Sequence, residues 1–472
     1  MATSELNLLD IDRGTVTAPA GCGKTHLIAS SVSKHSEGKP ILVLTHTNAG
    51  VAALRERLKR AGVSARAFRL TTIDGWAMRL VNTFPARSGC NQRHLSLANP
   101  RVDYPRIRTS AYSMLKAGHG LDVLSATYAR LIVDEYQDCN ISQHALVYYM
   151  AKALPTCVLG DPMQLIFDFQ GDPADWDKHV CKHFPLVGEL TTPWRWKNAG
   201  EEAFGNWLLD ARRLLMAKKP IDLTKAPANV SWIQTGGKDD HELKLKACRT
   251  KAPTEDGSVL IIGDSTNPTA QRQFASQTPG AVAVENVDLR DLVDFARNLD
   301  LDSNDALEQV LDFAEDVMTN VGKTEFLKRV ESLSNKTARK AASDLEQRAL
   351  EFSKEPSYQG VRELLGAIGQ QGGVRSHRPS ILRGCIRALQ LAEAADGPTL
   401  EEAAIHIREQ SRVLGRSVPR RSVGSTLLLK GLEADVSVIL NADDLNARNL
   451  YVAMTRGSRR LVVCSKNSKL NP

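Results

Sequence analysis

Four short apolar runs in the first half of the chain, at 14–17, 41–44, 131–133 and 157–159, each end in polar or glycine residues and are separated by stretches of helical pattern. This is the pattern of a parallel sheet buried between helices, and it leaves few architectures other than an open α/β fold. Ligands of such sheets collect at the carboxyl ends of the strands. The polar residues that follow each run are therefore where chemistry is expected.

The chain has 472 residues, too many for one core and suited to two to four domains. From Val287 to about Leu414 the strand-like runs vanish, and apolar residues recur at three and four: Leu289, Leu292, Val293, Ala296 and Leu299, then Leu307, Val310, Leu311, Ala314 and Met318. An all-helical insertion is expected there. Strand character returns at 425–429, 436–440 and 461–464, which with 259–262 would form a second α/β sheet interrupted by the helices. With 42% hydrophobic and 24% charged residues the composition is that of a globular protein, and a net charge of +7 permits a polyanionic partner without demanding one. The eight cysteines include no C-x-x-C pair, which argues against zinc and a disulfide framework and fits a reducing cytoplasm. No run of about 18 apolar residues supports a membrane span, and no leader pattern supports secretion.

The first run leads into Thr17-Ala-Pro-Ala-Gly-Cys-Gly-Lys-Thr-His26. A strand, a small-residue loop and a helix start aim backbone N–H groups at an anion. Ala20, Gly21, Cys22, Gly23 and His26 would surround the phosphates, Lys24 would reach the outer ones and Thr25 would hold magnesium. The strict pattern has glycine where Ala18 stands, and the plainer reading is a glycine turn beside an exposed lysine. A second element favours the nucleotide: the run 131–133 ends in Asp134-Glu-Tyr-Gln-Asp138. Asp134 would be the metal-side carboxylate and Glu135 the base that orients and deprotonates water.

These two elements resemble motifs I and II of superfamily 1 helicases of the UvrD/Rep type, and the remaining motifs follow in order. Leu42-Val-Leu-Thr-His-Thr-Asn-Ala49 resembles motif Ia and Thr71-Thr-Ile-Asp-Gly-Trp76 the segment after it; the resemblance implies that His46, Thr47, Asn48, Thr72 and Trp76 contact single-stranded DNA. Gly160-Asp-Pro-Met-Gln164 through Phe169 resembles motif III, with Gln164 sensing the γ-phosphate and Phe169 stacking on a base. Leu190-Thr-Thr-Pro-Trp-Arg-Trp196 resembles motif IV, implying adenine stacking by Trp194 and a γ-phosphate contact by Arg195. Thr426 to Glu433 resembles motif V, which brings in Gly431 and Glu433. Leu450-Tyr-Val-Ala-Met-Thr-Arg456 resembles motif VI and supplies Arg456. Arginines brought to the charge that builds on phosphate oxygens fit the physics of hydrolysis.

The implied architecture is two tandem RecA-like P-loop NTPase domains, each with a mainly helical insertion. Domain 1A would take 1–80 and 127–200 with a reduced 1B-like insertion at 81–126. Domain 2A would take 201–286 and 415–472, carrying Arg456, with a 2B-like insertion at 287–414. The implied function is an ATP- and Mg2+-dependent helicase or translocase on single-stranded or tailed duplex DNA, moving 3′ to 5′. The alternative is an ATPase that senses DNA ends or regulates a partner, activating a nuclease without processive unwinding; a nucleotide kinase gives the acidic run no role. Several positions depart from the family: no glutamine lies upstream of the loop, and His46, Asp74, Gln170 and Leu427 or Leu428 replace residues usual in strand contacts. The compact size resembles the UvrD-like subunits paired with an OLD-family nuclease in Gabija-type anti-phage systems. Arg375, Arg378, Arg383, Arg387, Arg412, Arg416, Arg420 and Arg421 form basic clusters that read either as a phosphate-tracking stripe or as ordinary solvated helix faces.

Overall fold

The computed structural model describes residues 6–35, 38–166, 172–394, 396–414 and 419–472. It divides into two compact units, one of residues 1–231, 443–460 and 468–472 and one of residues 232–442 and 461–467.

The sheet of the first unit contains β1 (Arg13–Thr17), β2 (Ile41–Thr45), β3 (Phe68–Thr72), β4 (Arg130–Val133), β5 (Thr156–Gly160) and β6 (Leu186–Glu189), in the order β3-β2-β4-β5-β1-β6. All neighbouring pairs are parallel. Alternate residues face two cores. Leu42, Leu44, Leu131, Val133 and Val158 join one; Ile41, Val43, Ile132, Cys157 and Leu159 join the other. Helices cover both faces, which is why the four central runs are buried and β2, β4 and β5 are mostly apolar. The edge strands β3 and β6 are partly exposed and more polar, and give no such signal in the sequence. Residues 81–126 are mainly helical, and Ile107, Ala111, Met114 and Leu115 of the helix Pro100–Lys116 pack into the same core as Trp76. A two-residue ladder joins β7 (Ile221–Asp222) to the carboxyl-terminal strand at Lys469–Leu470.

The second sheet is formed by β8 (Val230–Gln234), β9 (Val259–Gly263), β10 (Val282–Ala283), β13 (Arg421–Ser425), β14 (Ala434–Ile439) and β15 (Gly457–Ser465), in the order β10-β13-β9-β14-β15-β8. The neighbours β10, β13, β9 and β14 run parallel. Two sheets with flanking helices give the expected pair of tandem RecA-like α/β domains.

Among the described residues, seven helices between Arg290 and Leu414 share one apolar core, to which both sequence stripes contribute in full. Two expectations need correction. The insertion is not purely helical, because β11 (Met318–Thr319) pairs antiparallel with β12 (Arg375–Ser376). Nor is 425–429 a strand. The strand β13 ends at Ser425, whose hydroxyl accepts from Leu428 N and caps the short helix Thr426–Leu429, so the leucines belong to a helical turn.

Polar ties fix the insertion to its sheet. Arg378 is fully buried and pairs with Glu285, Asp291 and Asp316. Arg375 donates to the carbonyls of Ala275, Ser276, Thr278 and Ala281, and Arg421 to those of Cys248 and Thr250. These members of the basic clusters face inward, and their charge is used within the fold rather than on a phosphate-tracking surface. Arg416 and the side chain of Arg412 lie outside the described residues.

Candidate nucleotide site

The loop from Ala18 to Gly23 joins β1 to the helix Lys24–Ser33. Ala18 is 1% exposed, its N–H donates to Gly160 O at 2.8 Å, and its φ is not in the left-handed region, so a methyl group is accommodated there. Gly21 and Gly23 do need glycine: their φ values are 70° and 88°. Space forbids a side chain as well, since a Cβ on Gly21 would run into the Trp196 ring and one on Gly23 would lie 2.9 Å from Trp194 Cδ1. Ala20 N donates to the buried Tyr451 hydroxyl at 3.0 Å, and Arg195 N donates to Gly21 O at 3.0 Å. The loop is thus held from outside by the helices Trp194–Asn198 and Ala447–Met454.

Lys24 is 9% exposed, with Nζ 2.5 Å from Glu135 Oε1 and 3.2 Å from Asp134 Oδ1. Burial alone would lower its pKa, but the two carboxylates prevail and hold it above its ordinary value. Asp134 follows β4, and its N–H donates to Leu44 O at 2.8 Å. Burial, together with the like charge of Glu135, raises its pKa against the pull of Lys24. Glu135 sits in the left-handed region at φ 54°, which turns its carboxylate back toward Lys24. Cys22 is no nucleophile here, because burial and then the nearby Asp161 charge push its thiol up to about 12.

Gln164 lies in the turn Pro162–Gln164 after β5, where its amide donates to Asp161 Oδ2 at 3.1 Å. Asp161 is fully buried and accepts from Arg212 Nε and Nη2 at 3.1 and 2.9 Å. Gln137 spans from Asp161 N, which donates to its Oε1 at 3.1 Å, to Glu135 Oε2, which accepts from its Nε2 at 2.5 Å. Neither Gln137 nor Arg212 is singled out by the sequence reading, nor is Tyr451. A glutamine inside the acidic run was the one available hint, whereas Arg212 and Tyr451 act across large sequence separations.

Arg195 Nη1 donates to Thr455 O at 2.6 Å, and Trp196 Nε1 donates to Gly457 O at 2.9 Å. Arg456 is 3% exposed and donates from Nε to Val452 O at 2.8 Å and from Nη2 to Thr455 Oγ1 at 3.2 Å. The sequence reading assigns Arg456 to the second α/β domain; in the structure residues 443–460 pack with the first unit, alongside the phosphate loop. Trp194 is 46% exposed, with Lys197 Nζ 5.4 Å from its ring centre. Thr25 is half-buried and His26 exposed on the helix that follows the loop. Gly431, with φ 82°, and Glu433 are exposed in the turn before β14, in the second unit.

The residues expected to meet DNA divide differently. Thr47 follows β2 and Thr72 ends β3, its parallel neighbour, and both cap the next helices, their hydroxyls accepting from Gly50 N and Gly75 N at 3.0 and 2.9 Å. Asn48 is exposed and His46 half-buried at the same edge. Trp76 is 5% exposed and packed in the core, so its ring is not a surface on which a base can stack. Asp74, beside it, is tied to Arg108 by two hydrogen bonds of 2.6 Å. Phe169 lies outside the described residues.

The glycine-built loop, the buried lysine beside two carboxylates and the oxygen donors Thr25 and Asp134 fit a nucleotide with its divalent cation. Among the described residues no three His, Cys, Asp or Glu side chains form a metal cage, so such a cation would complete its shell with ligand and water oxygens. No helix among them is long and apolar enough to cross a membrane.

No curated protein matches the chain. Among solved structures, the Pif1 helicase from Candida albicans is similar at 12% identity over 97% of this chain and 92% of that one, with a TM-score of 0.38. The arterivirus nonstructural protein 10 helicase, solved as a complex with DNA, is similar at 13% identity over 54% of this chain, with a TM-score of 0.28. This chain spans 48% of the length of that viral helicase. Residues 8–170 match the family described as the AAA domain, a stretch that runs from before the phosphate loop through the acidic strand to the Asp161–Gln164 turn.

Proposed function

We propose that the chain is an ATP-dependent motor of superfamily 1 type that acts on single-stranded DNA. The observation that carries this reading is the meeting of Lys24 with Asp134 and Glu135 at the carboxyl ends of β1 and β4. In that reading Lys24 exchanges its carboxylate partners for phosphate oxygens, so the cation is never left without a counter-charge. Thr25 and Asp134 hold magnesium, which when bound supplies charge neutralisation on the phosphates. Glu135, once released by Lys24, accepts a proton from the attacking water. Arg195 and Arg456 contribute positive charge toward the transferred phosphoryl group, and Trp194 offers its exposed ring to the base. Residues 1–80 with 127–200 would act as domain 1A.

Movement 3′ to 5′, a tailed duplex as the substrate, and a defence role beside an OLD-family nuclease are finer readings that rest on the resemblance and on compact size. A second reading is favoured by one observation: Trp76 is buried and Asp74 is engaged by Arg108, so two positions of the DNA-contact segment are committed to the fold. It casts the chain as an ATPase that senses DNA ends or regulates a partner.

ATP hydrolysis measured with and without single-stranded DNA, beside strand displacement from a tailed duplex, tests both. The motor gives DNA-stimulated hydrolysis and displacement, and either Lys24→Ala or Glu135→Gln abolishes both activities. Stimulation without displacement supports the sensor. An equal rate with and without DNA defeats the motor.

A further inference from the structure

Behind the carboxylates lies a polar chain that runs from the interior of the first unit to the site. Arg212 is 4% exposed on the helix Glu202–Met216 and grips Asp161 Oδ1 through Nε and Nη2, with Nη1 3.1 Å from Glu189 Oε1. Asp161 is fully buried and uses every polar atom it offers the site: Oδ2 accepts from Gln164, Oδ1 also accepts from Met163 N, and its N–H donates to Gln137. Gln137, 1% exposed, passes the constraint to Glu135 Oε2. A Cβ on Gly160 would stand 2.6 Å from Gln137 Oε1, so the amide is confined sterically as well as by hydrogen bonds.

A buried arginine–carboxylate pair is a costly way to hold a fold together and gives little net stability over an apolar pair. What it supplies is direction. Two guanidinium nitrogens converge on one oxygen, Asp161 Oδ1, and anchor the residue whose other carboxylate oxygen accepts from Gln164 and whose main-chain N–H donates to Gln137.

We propose that Arg212 is a positioning residue for hydrolysis, acting through Asp161 and Gln137 to hold the Glu135 carboxylate in a single orientation while the same aspartate orients Gln164. The inference rests on the ATPase reading above. Arg212 itself need touch neither nucleotide nor water; its effect falls on the orientation of the base, and hence on turnover rather than on binding.

The test compares steady-state hydrolysis, binding of a fluorescent ATP analogue and thermal melting across four variants of the full chain. Gln137→Ala leaves the Arg212–Asp161 pair in place. It should lower kcat about tenfold, with KM and analogue affinity changed less than about twofold. Arg212→Lys keeps the charge and loses the fork, and should fall between wild type and Gln137→Ala. Arg212→Met combined with Asp161→Asn removes both charges, so no buried ion is stranded, and should match Gln137→Ala in kcat. Adding Gln137→Ala to that pair should cost little more, because the substitutions break one chain. The proposal is overturned if Gln137→Ala hydrolyses normally, if the loss appears in KM and analogue affinity, or if the combined losses multiply. A wild-type protein without hydrolysis defeats the ATPase reading and this proposal together; normal wild-type turnover with normal variants defeats this proposal alone.

Discussion

Lys24 has two jobs in the proposed site, and a single substitution removes both. In the structure its ammonium neutralises Asp134 and Glu135, so Lys24→Met removes the contact proposed for phosphate and also leaves two adjacent carboxylates facing each other in a largely buried place. Breaking a buried pair on one side costs about 3–5 kcal/mol, and with Glu135 33% exposed the lower end or less applies. The nucleotide-free variant should therefore melt several degrees below wild type. Magnesium alone should recover more of that loss in Lys24→Met than it adds to wild type, since the cation takes the place of the lysine charge; equal shifts in calorimetry would refute the account. Lys24, Asp134 and Glu135 were legible in the sequence because each sits within a few residues of a strand end, where type and spacing suffice. Tyr451 was not, because its hydroxyl meets Ala20 across a separation of 431 residues and nothing local marks a tyrosine for that use. Trp76 shows the opposite error: its motif position suggested a base platform, but helix periodicity from Ile73 through Ala77 and Leu80 turns it into the core.

Helices and strands were legible in proportion to how completely they are buried. The stripes at 289–299 and 307–318 carry a core-facing period and form helices, while β3 and β6, at the sheet edge, mix polar with apolar residues and went unread. The leucines at 427–429 were apolar enough to pass for a strand, although Ser425 was a capping signal in plain view. Arg378 is the element-scale counterpart of Lys24. It gathers Glu285 after β10, Asp291 on the helix Arg290–Asn298 and Asp316 on the helix Ala306–Val317. Burial raises the pKa of Asp316, a pull that Arg378 opposes. Arg378→Met leaves Glu285 and Asp316 without this partner while Asp291 keeps Arg272, and with Asp316 46% exposed it should destabilise the second unit by about 3 kcal/mol or less at neutral pH. Acidification should narrow the gap between variant and wild type, because without Arg378 burial raises the Asp316 pKa further and the variant gains the stabilising proton at a higher pH. Parallel melting curves at pH 7 and 5 would contradict this.

At the scale of the whole molecule, the first unit is discontinuous in sequence, with residues 443–460 returning to it after the second unit has been traversed. Those residues carry Tyr451, which holds Ala20, and Thr455, whose carbonyl receives Arg195. A fragment of residues 1–231 contains the whole phosphate loop, both carboxylates and Gln164, yet should bind a fluorescent ATP analogue at least tenfold more weakly than the full chain. Supplying residues 443–472 as a separate peptide should recover part of the affinity, and undiminished binding by the fragment alone would refute the dependence. The pattern of alternating runs made two sheets legible; which sheet residues 443–460 would pack against was not, because packing partners are set by three-dimensional neighbours that periodicity does not encode.

That return of the chain has a consequence in time. At a synthesis rate of about 5–20 residues per second, the roughly 210 residues between the two parts of the first unit take on the order of 10–40 s to emerge. Throughout that interval the phosphate loop exists without the tyrosine that braces it. A nascent chain would thus gain the braced loop only once residues 443–460 have been made, and a shorter one would lack it.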